Sequence, residues 1–476
     1  MIDTAAMTDG RKRIVLMTCC LSVLLVTMDI SIVNVALPTM GDDLDASVSG
    51  LQWIADSYVL VVAALLMLAG SLGDRFGRKR MFQVGLAIFT VASLLCSLAP
   101  TLGWLIAFRT VQAVGGSMLN PVAMSILTNV FTEPKERARA IGTWGGAVGI
   151  SLALGPVLGG VLVAGAGWPA IFWINVPIGV ATLWLAQRFV PESRTDSPRR
   201  LDPPAQVLLV VVLGSLVFAL IEGNHHGWGS ALILGLFATA AVGAVLFLLV
   251  ESRHAEPLVD LRFFRSAPFS GANLAAASAF ASLAGFMFLN SLYLQGERGF
   301  SALETGLLTL PIAVMTGLFG PISGRLVGSS GPRLAMTLAG SLLAAGAAAM
   351  TVSDASTPVA WLLGAYLLFG IGFGLVNTPI TNTAMSGMPQ GQAGVAAAIA
   401  STSRQVGNSL GVAAVGAIVA VSASSGADAT ASGHSAWAWG LLAACGAGVA
   451  VIGLVSTGRW AARTAERTRA NLLQHD

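Results

Sequence analysis

Three ionisable side chains stand inside long apolar runs of this 476-residue sequence: Asp29, Asp56 and Arg109. A charge placed in hydrocarbon is costly and rare, so such residues mark ion or substrate pathways by default. Asp29 lies about eight residues from the end of its run, roughly 12 Å deep at 1.5 Å per residue. Asp56 stands five residues into the second run and Arg109 seven into the fourth, so the three share one depth. Burial opposes the charge of a carboxylate, whereas a nearby cation favours it. A carboxylate under both influences can exchange a proton as its access to water changes. The plainer alternatives are a structural ion pair for Asp29 with Arg109, and solvation at the interface for Asp56.

Other polar residues extend this set. Gln112 follows Arg109 at i+3, and Gly116 and Asn120 continue the same stripe, which must face protein or water rather than lipid. Arg404, with Gln405 beside it, is a second intramembrane cation near mid-depth. Asn34, Gln112, Asn120, Asn377, Asn382 and Arg404 are the expected lining of a substrate cavity. Gly149, Gly155, Pro156, Gly159 and Gly160 belong to a run in which small residues at i and i+4 let helices approach closely. Pro156 there favours a kink. Gly73 and Gly77 permit a tight turn in which Asp74 can cap a following helix or pair with a basic residue. His225 and His226 beside Glu222 invite a metal or proton-relay reading, but flanking glycines favour a solvated turn, and no metal site is expected.

The elements that must position these residues follow from composition. Apolar residues make up 55% of the chain and Asp, Glu, Lys and Arg only 10%. A soluble domain carries about 25% charged residues, so this is a polytopic membrane protein. Runs of about 20 apolar residues are candidate spanning helices. Fourteen are expected, at 14–37, 51–72, 81–99, 102–124, 140–164, 169–189, 205–224, 229–250, 269–294, 303–327, 333–352, 359–385, 394–420 and 435–457. The first contains Asp29, is too long and lacks a cleavage site, so it reads as a retained helix rather than a signal peptide. The four cysteines all fall in apolar runs and suggest no disulfide framework.

Basic residues in short loops set orientation. With both termini cytoplasmic, 23 of the 26 basic residues fall on the inner side, and the exceptions are Arg109, Arg298 and Arg404. Trp53, Trp104, Trp168, Trp228, Trp361 and Trp437 then fall near outer span ends, as an aromatic belt would.

The longest inner connection, near 190–204, separates six spans from the rest. The Gly/basic turn at 73–80 is echoed at 324–333, which matches if the last six spans repeat the first six. The expected organisation is a six-helix bundle at 1–190, a linker with two inserted helices at 191–268, a second six-helix bundle at 269–458 and a tail at 459–476.

At this point the sequence resembles the major facilitator superfamily, most closely its fourteen-span drug:proton antiporter branch, which includes quaternary-ammonium and antibiotic exporters. Four co-linear segments carry the resemblance. Met28 to Pro38 is similar to the branch's first-span signature, which usually begins Leu-Asp, so Met28 departs mildly. Gly73 to Lys79 resembles the superfamily's inner-loop motif, Arg109 to Gly116 its fourth-span motif, and Gly149 through Gly160 its fifth-span antiporter motif. Trp53 to Tyr58, which contains Asp56, resembles a run in the branch's cation exporters.

The resemblance implies an all-α fold of two six-helix bundles plus two inserted helices. It implies that Asp29, Asp56 and Arg109 couple protons, and that Gly73, Asp74, Arg75, Gly77 and Arg78 form a conformational switch. It associates the glycine motif ending at Gly160 with antiport. The expected protein is a proton-coupled antiporter that expels amphipathic drugs or antibiotics, cationic ones among them, across a bacterial cytoplasmic membrane. Its partners are the small-molecule substrate, protons and lipid; it works as a monomer, with no nucleic acid and no cofactor. No Gly-Lys-Ser/Thr loop supports ATP hydrolysis and no catalytic cluster supports an enzyme. A dedicated exporter of one metabolite is the nearest alternative; a membrane receptor is a more distant one.

Overall fold

The computed structural model describes residues 7–194, 202–254, 259–386, 388, 393–424 and 432–473. Part of the proline-rich connection near 190–204 lies outside the described residues, as does the connection holding Asp428. Every regular element described is helical, which is what an apolar chain requires when no water is present to satisfy backbone N–H and C=O groups. The long helices are α1 (Asp9–Asp43), α2 (Val48–Phe76), α3 (Arg78–Ser97), α4 (Leu102–Val130) and α5 (Pro134–Ala166). A short α6 (Ala170–Trp173) leads into α7 (Asn175–Phe189), so the sixth expected run is broken at Ile174. There follow α8 (Pro203–His226), α9 (Ala231–Arg253), α10 (Ala267–Leu292), α11 (Ala302–Ser330), α12 (Pro332–Met350), α13 (Val359–Met385), α14 (Ala393–Ser424), α15 (Ser432–Ser456) and α16 (Arg459–Leu473).

Among the described residues, thirteen helical stretches are long and apolar enough to cross a membrane, with α6 and α7 counted as one. The helix α4, at 29 residues, has the length but stands outside that set. Its polar stripe of Arg109, Gln112, Ser117 and Asn120 dilutes its apolar character. Ser47 and Ser230 accept hydrogen bonds from Gly50 and Ile233 N–H groups and cap α2 and α9.

The chain divides into two compact units: residues 1–206 with 300–307, and residues 207–299 with 308–476. In the first, α1 packs on α5, α7 and α4, while α3 packs on α4 and α7. In the second, α10 packs on α14, α15 and α13, while α12 packs on α13 and α15. The neighbour scheme is the same when α10, α12, α13, α14 and α15 take the places of α1, α3, α4, α5 and α7. Small residues make the corresponding crossings close. A Cβ at Gly155 or Gly159 of α5 would meet Ser31 or Ile32 of α1. A Cβ at Gly407 or Gly411 of α14 would meet the backbone of Ala277 or Ala281 of α10.

The tail expected at 459–476 contains the amphipathic helix α16. It buries Ala461, Ala465, Thr468 and Leu472 and exposes Arg459, Arg463, Arg467 and Arg469, and its Thr464 hydroxyl accepts from the Ala267 N–H at 2.9 Å. Of the expected belt tryptophans, Trp104, Trp228, Trp361 and Trp437 are exposed, but Trp168 is only 5% exposed and meets Phe172 edge-on. It is a packing residue, because Gly167, at φ +76°, turns the chain sharply before it.

Candidate functional site

The first unit gathers Asp29 and Arg109 in one buried cluster. Asp29 on α1, Arg109 and Gln112 on α4, Ser93 on α3 and Asn175 on α7 are each no more than 1% exposed. Arg109 Nη1 donates to Asp29 Oδ2 in a short charge-assisted hydrogen bond. The other carboxylate oxygen accepts from Gln112 Nε2 and from Asn175 Nδ2, both at 2.9 Å. Gln112 also accepts from Arg109 at 2.8 Å and donates to the Ser93 hydroxyl at 2.7 Å. Arg109 Nε donates to the Ile54 carbonyl of α2 at 3.3 Å. The guanidinium lies 4.5 Å from the Tyr58 ring centre and 5.6 Å from that of Phe172, within cation–π range.

Local sequence explains this convergence. The i, i+3 spacing of Arg109 and Gln112 puts both on one face of α4. Gly115 sits where a Cβ would collide with the Phe89 backbone, so α3 and Ser93 come close. Gly116 leaves the space that the Tyr58 ring occupies over the guanidinium. Asn175 opens α7 just after the break at Ile174, which brings its amide to Asp29. Both oxygens of Asp29 are therefore engaged, and the pair is buried. Removing one partner of a buried ion pair costs roughly 3–5 kcal/mol, so the two side chains hold α1 and α4 together.

Asp56 is fully buried, which removes the solvated alternative for it.

Of the expected cavity residues, Gln112 belongs to the ion-pair cluster. Asn34 is partly buried and donates to the Ile30 carbonyl at 2.9 Å. Asn120 is partly buried as well, its side-chain oxygen enclosed without a hydrogen bond. In the second unit, Asn377 is partly buried and Asn382 exposed on α13. Arg404 on α14 is partly buried and donates to the Thr381 hydroxyl at 2.6 Å.

The expected switch forms a tied turn. Gly77 adopts φ +106°, open to glycine at little cost. Asp74 accepts from Arg78 at 2.8 Å, while Arg75 is exposed beside Phe76. The Glu192 carboxylate accepts from the N–H groups of Lys79 and Arg80 at 3.1 and 3.3 Å, which places an anion at the N-terminus of α3. Of the glycine motif, Gly155 and Gly159 pack on α1, Gly160 packs on the start of α11, and Gly149 faces open space. A Cβ on Gly306 would meet the Pro156 carbonyl. At the end of α8, ligand atoms of Glu222, His225 and His226 lie within 4.8 Å of one another, with both imidazoles exposed.

Sequence reasoning missed Asn175, Ser93, Tyr58 and Glu192. Asn175 carried a signal, an amide inside an apolar run beside Pro177. Tyr58 closes the Trp53 to Tyr58 run but was given no role there, while Ser93 and Glu192 carried no signal, because a serine and a loop glutamate are ordinary at such places.

The model of the Major Facilitator Superfamily matches residues 19–412. The chain belongs to this superfamily. As a major facilitator chain it is a multi-pass membrane transporter rather than an enzyme. It is similar to the multidrug resistance protein Stp of Mycobacterium tuberculosis, with 36% identity over 84% of this chain and 74% of that one. It is equally similar to the tetracenomycin C resistance and export protein of Streptomyces glaucescens, 36% identical over 86% of this chain and 76% of that one. Among solved structures, a bacterial homologue of the human lysosomal transporter Spinster, inward-facing and unoccupied, superposes with a TM-score of 0.65. That match covers 98% of this chain and 99% of the other at 18% identity, so it speaks to the major facilitator fold alone.

Proposed function

We propose that this major facilitator chain is a proton-coupled antiporter that expels amphipathic drugs or antibiotics across the bacterial cytoplasmic membrane. The observation that carries the reading is the Asp29–Arg109 pair, buried and held by Gln112 and Asn175. Relatives named for multidrug resistance and for resistance and export of one antibiotic supply the cargo class. The organisation that goes with it is fourteen spans with both termini cytoplasmic. Residues 1–190 and 269–458 form the two six-helix bundles, 191–268 hold the linker and inserted pair, and 459–476 are cytoplasmic. The antiporter works as a monomer, without cofactor, on the proton gradient.

In the cycle, water reaches Asp29 from outside and a proton neutralises it. The ion pair with Arg109 then loses its attraction, the guanidinium keeps the Gln112 and Ile54 oxygens, and α1 is freed from α4 and α7. Opening to the cytoplasm lets the proton leave, and the pair re-forms as drug is taken up. Asp56 acts as a second, buried carboxylate on α2. Asp74, Arg75 and Arg78 in the turn framed by Gly73 and Gly77 switch the inner face. The glycines of α5 provide the surface on which α1 slides.

The test is a resistance panel in an efflux-deficient bacterial host. Wild type raises inhibitory concentrations for several unrelated amphipathic antibiotics, and Arg109→Ala abolishes the gain while still reaching the membrane. Protection against a single compound favours the dedicated exporter, a reading to which the relative named for tetracenomycin C lends support. Protection against none contradicts both.

A further inference from the structure

The two intramembrane arginines differ in one respect that decides what each can bind. Arg109 has a carboxylate, a side-chain amide oxygen and a carbonyl as partners. Arg404 has only hydroxyls: Thr381 at 2.6 Å and Ser401 at 3.5 Å, the second at the limit of a hydrogen bond. A guanidinium carries five N–H donors, and the Arg404 Nε–H is enclosed with no acceptor. Among the described residues no acid pairs with Arg404. It lies roughly 16 Å along α14 from Ala393 at 1.5 Å per residue, a depth at which a charge normally has a counter-charge or a water-filled cavity. One wall beside it is aromatic, because the Phe280 ring centre lies 5.9 Å from its guanidinium carbon and Phe280 is itself only partly buried.

We propose that Arg404 is the subsite for an anionic group of the substrate, a carboxylate or phenolate on an aromatic scaffold whose ring stacks beside Phe280. The proposal rests on the export reading and sharpens its cargo from amphipathic compounds in general to organic anions. The physical reason is complementarity. An anion supplies the acceptors that the unused N–H donors lack and cancels a charge the second unit leaves standing. A quaternary ammonium there would meet like charge and leave the Nε–H enclosed and unmade. Thr381 holds the guanidinium in orientation, so an incoming carboxylate finds a preformed fork.

Matched xanthene dyes test this: fluorescein as the anion and rhodamine 6G as the cation share a ring system and differ in charge. Dye anisotropy is followed on the purified full-length protein, at a pH where fluorescein is a dianion. Wild type is expected to bind fluorescein more tightly than rhodamine 6G by about tenfold or more, on the scale of a charge-assisted hydrogen bond. Arg404→Gln should lose that preference and Arg404→Lys should keep most of it, which guards against a fold defect. Equal affinity for the two dyes in wild type, undetectable binding of both included, overturns the proposal. So does an Arg404→Gln variant that keeps the preference. Fluorescein affinity that holds as chloride is added supports an organic-anion site, and displacement by chloride overturns it. A separate proton-gradient measurement on the same dyes keeps the two readings apart. Fluorescein bound through Arg404 but never moved by the gradient sinks the exporter reading alone. Gradient-driven fluorescein export indifferent to Arg404→Gln sinks this one alone.

Discussion

Asp29 and Arg109 form a unit whose members are worth less apart than together. Arg109→Leu leaves a buried carboxylate without its counter-ion, and the expected loss of stability is roughly 3–5 kcal/mol. Asn175→Ala removes one of two donors to Asp29 Oδ1 and should cost about 1–3 kcal/mol. Adding Asp29→Asn to Arg109→Leu removes both charges, so the double variant should be more stable than Arg109→Leu alone. Denaturant unfolding in detergent reads this order. A double variant as unstable as the sum of its singles would mean that the two charges do not act as a pair. Much of this site was legible in the residues. A carboxylate and a guanidinium inside apolar runs announce themselves, and the i, i+3 spacing tied Gln112 to Arg109. What was hidden is the third helix donor, because Asn175 reaches Asp29 only through the break between α6 and α7. The full burial of Asp56 was hidden too, since depth along a helix does not say what covers it.

At the scale of elements, the crossings of α5 with α1 and of α14 with α10 depend on glycine. Gly159→Leu and Gly411→Leu should each sharply reduce folded, monodisperse protein in size-exclusion chromatography, because a side chain would strike Ile32 or the Ala281 backbone. Gly149→Leu should give wild-type yield, since nothing lies within 4 Å of the position. Equal tolerance at Gly149, Gly159 and Gly411 would contradict the packing account. The first-half motif was legible as spaced small residues. Its counterpart, Gly407 and Gly411, was not, because glycine is common throughout these helices (55 in the chain) and only the neighbour shows which ones sit at a crossing. The amphipathic α16 was likewise overlooked, its four arginines drawing attention to charge rather than to the buried Ala461, Ala465, Thr468 and Leu472 opposite them.

For the whole molecule, scarcity of charge is the organising fact. With 10% charged residues, a major facilitator chain has few groups to spare for its membrane interior. Among the described residues these include the Asp29–Arg109 pair and the buried Asp56 in the first unit, and in the second Arg404, with which no acid pairs. The class of fold was legible because apolar run length and loop charge are read directly by a bilayer. The repeated neighbour scheme of the two units was legible only as a faint echo of inner turns, since packing partners leave little trace in sequence. The central claim is that Asp29 couples a proton to transport, and the most direct measurement separates coupling from movement. Wild type and Asp29→Asn are reconstituted in liposomes, and rhodamine 6G and fluorescein are followed with and without an imposed pH gradient. The account predicts that wild type concentrates at least one dye against its gradient. Asp29→Asn should still equilibrate that dye but no longer concentrate it. Full gradient-driven accumulation by Asp29→Asn would contradict the account.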